Sequence, residues 1–63
     1  MSEIIADSPE EGALLTALTR EPQHADELTR EIGQTASTVG AMLSMLEMKG
    51  LAQNLGGNQW VRR

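Results

Sequence analysis

Between Ala13 and Val61 apolar residues recur at helical or alternating spacing, and the pattern is punctuated at Pro22, Gly33, Gly50 and Gly56-Gly57. Leu14, Leu15 and Leu18 share one face, with Ala13 and Ala17 beside them. Ser8-Pro9-Glu10-Glu11 supplies a start for that stripe. Ser8 is placed to cap, Pro9 takes the first helical position, and Glu11 completes a capping box. Arg20-Glu21-Pro22 ends the run, so the first helix is expected at about 9–19. Asp26 and Glu27 favour a helix N-terminus, Leu28 and Ile32 lie four apart on one face, and Gly33 closes a second helix at about 25–32. Thr35 then caps a third, at about 36–49, whose core stripe is Val39, Leu43 and Leu46 and whose left-handed terminator is Gly50. Only Gln34 separates Gly33 from Thr35, which is the layout of a helix-turn-helix.

Beyond Gly50, Leu51-Ala52-Gln53-Asn54-Leu55 and Asn58-Gln59-Trp60-Val61 flank Gly56-Gly57, predicting a hairpin at about 51–61. A two-residue turn at those glycines sets Gln53 opposite Trp60, with Leu51 on the same side and the indole roofing the end of the core. Pro22-Gln23-His24 is too short to stand alone and is expected to lie extended beside another strand. The fold class is therefore mainly α (α+β): three helices and a short C-terminal hairpin in one domain, 8–63. A lead or linker, 1–7, precedes it and is expected to be disordered, with Ile4-Ile5 as its one apolar pair.

A chain of 63 residues buries only ~60% of its unfolded surface. Without cysteine it has no disulfide and no thiolate metal site, so its core supplies ~3–5 kcal/mol of net stability. No apolar run reaches the length of a membrane span, and Met1–Ile5 lacks the basic flank and apolar run of a signal peptide. A cytoplasmic protein with no membrane contact is expected.

The net charge of −4 is unevenly spread: residues 1–33 hold eight acids against Arg20 and Arg30, whereas residues 34–63 hold Glu47 against Lys49, Arg62 and Arg63. Duplex DNA is bound largely through Lys and Arg releasing counterions from phosphate, so this distribution argues against avid nucleic-acid binding.

His24 is the only histidine, and the carboxylates fall where helix starts and solvent faces already account for them. No catalytic constellation, metal site, cofactor or small-molecule ligand is expected, and the protein is read as no enzyme. His24 itself reads as an exposed or capping residue before the second helix.

The third helix carries the functional question. Ser37, Gly40, Ala41, Ser44, Met45 and Met48 face away from its core stripe, and none is charged. Groove-reading helices offer Arg, Lys, Asn or Gln to base edges. Ala41, Met45 and Met48 instead form a second apolar stripe with Met42 between, either buried by the first helix and the wing or open to a partner. Gly40 costs about 1 kcal/mol in a helix interior, which a close backbone approach would offset; the plainer reading is simple tolerance or tight packing against the second helix. Gly40, Ala41, Met42, Met45 and Met48 are accordingly the candidate protein-contact residues. The alternative is weak, sequence-tolerant DNA contact through Lys49, Asn54, Asn58, Gln59, Arg62 and Arg63. Trp60, the sole aromatic, is expected to cap the core rather than stack bases.

Glu27-Leu28, Ile32-Gly33, Thr35, Val39 and Leu43-x-x-Leu46-Glu47-x-Lys49-Gly50-Leu51 resemble the general winged helix-turn-helix signature. Adding Leu14-Leu15-x-x-Leu18, the Glu21–Leu28 stretch and Gly56-Gly57-x-x-Trp60-Val61-Arg62, the chain resembles the C-terminal winged-helix domain of the DprA (Smf) family of bacterial DNA-processing proteins. In that family a separate Rossmann-like domain binds single-stranded DNA and helps load the recombinase RecA during natural transformation. The resemblance implies an accessory module whose role varies between members, protein contact or duplex DNA contact; the uncharged third helix favours protein contact, with the remainder of its own chain, a second copy, or another transformation or recombination factor as the expected partner. Two departures stand out: Gln34 occupies a usually apolar turn position, and the wing has no basic side chain between Leu51 and Val61. The second weakens a DNA role.

Overall fold

The computed structural model describes residues 9–63, and the chain runs α1 (Pro9–Ala17), β1 (Gln23–His24), α2 (Ala25–Ile32), α3 (Ala36–Met48), β2 (Ala52–Gly56) and β3 (Gln59–Arg62). The lead at 1–7, with Ile4-Ile5, and the Ser8 cap lie outside the described residues.

α1 ends two residues before its expected limit, for a reason the hydrogen bonds make plain. The next helical bond would run from the Thr19 amide to the Leu15 carbonyl. The Thr19 amide instead donates to Gln23 Oε1 at 3.2 Å, and the Leu15 carbonyl accepts from Arg62 Nη1 at 3.5 Å. Long-range partners thus replace the last helical rung.

α2 starts on a reciprocal cap. The Asp26 amide donates to His24 Nδ1 at 3.1 Å, and the His24 amide donates to Glu27 Oε1 at 3.4 Å. Histidine supplies the acceptor that serine or aspartate supplies elsewhere, satisfying a backbone donor the helix leaves unpaired. Gly33 ends the helix at φ +70°, and the Gly33 and Gln34 amides both donate to the Thr29 carbonyl.

Thr35 Oγ1 then accepts from the Thr38 amide at 3.2 Å and opens α3. At the far end Lys49 is the last helical-conformation residue, and Gly50 turns left-handed at φ +79°. There the Gly50 amide donates to the Glu47 carbonyl and the Leu51 amide to the Leu46 carbonyl, the paired bonds of a Schellman stop.

The strands form one antiparallel sheet in the order β1-β3-β2, so the expected extended stretch at Gln23-His24 does pair, through Gln23 with Trp60 and His24 with Gln59. The hairpin departs from the expected register. Gly57 and Asn58, at φ +59° and +60°, make the turn, and Gly56 pairs with Gln59. Asn54, not Gln53, therefore faces Trp60, and a bulge between Asn54 and Gly56 absorbs the slip. Asparagine tolerates the left-handed region, and Asn58 is held there from two sides: its carbonyl accepts from the Ala25 amide at 3.0 Å and its Oδ1 from the Trp60 indole at 3.4 Å.

The core lies between the three helices and the inner side of the sheet. Leu14, Leu18, Leu28, Val39, Leu43 and Leu46 are fully enclosed, with Leu15, Ala25, Ala52 and Trp60 around them. Each enclosed leucine contributes roughly 1.5–3 kcal/mol relative to exposure, which fixes α3 through its Val39–Leu43–Leu46 stripe.

Candidate interaction face

With that stripe turned inward, helical geometry turns Ser37, Gly40, Ala41, Ser44, Met45 and Met48 outward, and all six are exposed. Met48 is 82% exposed and Met45 42% exposed, large values for apolar side chains on a domain this small. Met42, grouped with them by sequence, is half-buried and packs against the core, so it supports the face from beneath. α1 and the hairpin leave the outer stripe open.

Gly40 has no neighbour within 4 Å of where a β-carbon would stand. Among the described residues neither tight packing against α2 nor a close backbone approach is present, which leaves, of the expected readings, simple tolerance. Nothing among the described residues packs on it to offset its helix-propensity cost of about 1 kcal/mol.

The charges near this face are already engaged. Lys49 Nζ meets Glu11 Oε1 at 2.8 Å, and Glu11 is 4% exposed, so the ammonium is drawn back against the start of α1. Glu47 Oε2 accepts from the Asn54 amide at 3.2 Å, covering a donor on the outer edge of β2. From Gln34 to Val61 no other residue carries a formal charge.

The residues of the DNA alternative are spread and mostly occupied. Arg62 sends its amide to the Thr19 carbonyl at 2.7 Å and its guanidinium towards the C-terminal end of α1, where a cation suits the helix dipole. Asn58 is fixed by the turn, and Asn54 Oδ1 accepts from the Gly56 amide at 2.6 Å. Gln59 and Arg63 are exposed at the surface.

Two features escaped the sequence reading. Glu11 is expected at a cap from its spacing to Ser8, and its burial against Lys49, thirty-eight positions away, has no local signal. Leu55, expected in a regular strand, is 48% exposed at the wing bulge. Among the described residues no group of three or more His, Cys, Asp or Glu is placed to hold a metal, and no helix is long and apolar enough to cross a membrane.

Two helices joined by the tight Gly33-Gln34 turn, a first helix across their back, and a hairpin completing a three-stranded sheet make this a winged helix-turn-helix domain. The family model described as the DprA winged helix domain matches residues 2–58. The chain belongs to that family, and the match spans α1 through the wing turn. No curated protein and no solved structure gives a significant match.

Proposed function

We propose that this winged helix is a non-enzymatic accessory module of a DNA-processing protein in natural transformation, working in the cytoplasm and acting by protein contact through the outer face of α3. One observation carries the reading: the helix that a helix-turn-helix would lay in a DNA groove presents an uncharged, methionine-bearing surface, with Met48 82% exposed. Methionine adapts to the shape of a partner, and the face holds no cation for phosphate. The family supports the accessory role.

The double substitution Met45→Glu/Met48→Glu tests it. Two carboxylates on an exposed face leave the fold intact by circular dichroism. They are expected to weaken at least tenfold whichever protein contact the unmodified chain makes, self-association by sedimentation or binding to the Rossmann-like domain of a DprA protein by calorimetry. Unchanged behaviour in both assays overturns the proposal.

A further inference from the structure

We infer that Glu47 is a latch on the wing: its carboxylate closes the outer edge of β2 and keeps the sheet from adding the β2 strand of a second copy. In the order β1-β3-β2 each outer strand leaves one edge unpaired. Alternation decides which groups that edge presents. The Leu51 carbonyl accepts from the Arg63 amide on the β3 side, so the backbone groups of Ala52 and Asn54 point outward. Asn54 is the middle residue of the five-residue strand Ala52–Gly56, and its amide donates to Glu47 Oε2 at 3.2 Å. A strand arriving at this edge needs that donor for its own carbonyl and meets a carboxylate in the way. The Gly56 amide is closed as well, by Asn54 Oδ1 at 2.6 Å.

The strand brings little protection of its own. Ala52-Gln53-Asn54-Leu55-Gly56 includes no charge and no proline, the usual safeguards of an edge, and Leu55 stands 48% exposed at the bulge that breaks the regular edge only beyond Asn54. The opposite edge differs. β1 is two residues long, and the bond from the His24 amide to Glu27 belongs to the cap of α2. Glu47 has no such local reason. It is the sole acid of residues 34–63 and lies in the last turn of α3, the end of a helix where negative charge is unfavourable. The outward amide of Asn54, seven residues on, accounts for a carboxylate there. The latch does not depend on the contact proposed for the outer face of α3, and the unmodified chain, which carries that face intact, is the baseline for its test.

Glu47→Ala removes the latch, and Glu47→Ala/Asn54→Pro removes the edge donor as well; proline is tolerated on an edge strand where its nitrogen faces away from the ladder. The two variants and the unmodified chain, each shown to be folded by circular dichroism, are compared by sedimentation up to about 1 mM, where weak contacts register. Glu47→Ala is expected to associate at least tenfold more tightly than the unmodified chain, and the double variant to return to the unmodified chain's behaviour. Amide exchange places the contact. In the dilute unmodified chain the Asn54 amide is expected to exchange at least about tenfold more slowly than a free amide. In Glu47→Ala that protection is expected to be lost in dilute solution and regained on concentration. A folded Glu47→Ala chain that associates no more than the unmodified one overturns the inference, as does association that survives Asn54→Pro undiminished. An Asn54 amide that exchanges freely in the unmodified chain overturns it without any variant.

Discussion

At the scale of single residues one constraint is an ion pair that spacing does not announce. Glu11 sits on the inner side of α1, 4% exposed, and Lys49 closes α3 above it with 2.8 Å between charged atoms. Enclosing a carboxylate is unfavourable, and the nearby ammonium offsets that cost, so removing one partner is worse than removing both. Lys49→Met is expected to destabilise the domain by about 2–3 kcal/mol, less than a fully enclosed pair because the lysine keeps part of its hydration. Glu11→Leu/Lys49→Met should recover most of that loss, and a urea-unfolding double-mutant cycle measures the difference. Strict additivity would show that the two side chains act independently. His24 sits at the other end of legibility: its position before Asp26-Glu27 suggested a capping role, and the Nδ1 acceptor on the Asp26 amide is that role.

At the scale of elements, what the sequence disclosed depended on whether the deciding contacts were local. The limits of α2, the caps of α3 and the tight turn at Gly33 were legible because Thr35, Gly33 and Gly50 act on their own backbone neighbours. The end of α1 and the wing register were not. α1 stops where Gln23 and Arg62 claim its last groups, and the turn slips by one residue because Asn58 gains the Ala25 amide and the Trp60 indole as donors. Such partners are close only once the chain has folded. Asn58→Ala should therefore cost about 1–2 kcal/mol, from left-handed backbone without a tolerant side chain and from the orphaned indole donor. Asn58→Gly keeps the backbone freedom and should cost less. Thermal unfolding ranks the pair, and equal stability of Asn58→Ala and the unmodified protein would contradict this account of the turn.

For the whole molecule, the inward stripe of α3 was legible as core and its outward stripe as uncharged. Spacing alone left open whether that second stripe was covered, because burial depends on where α1 and the hairpin settle. They settle on the other side, leaving Met45 and Met48 in solvent while the cations at Lys49 and Arg62 turn back onto α1. The result is an acidic domain with one neutral, apolar face in the place of a DNA-reading helix. The most direct test is a backbone-amide NMR titration of the chain at low salt, first with duplex DNA and then with increasing protein, its own or the Rossmann-like domain of a DprA protein. Shifts clustered on Ser37, Gly40, Ala41, Ser44, Met45 and Met48 are expected with protein, and negligible shifts with DNA. Salt-sensitive DNA shifts centred on Gln59, Arg62 and Arg63, with an α3 face indifferent to protein, would contradict it.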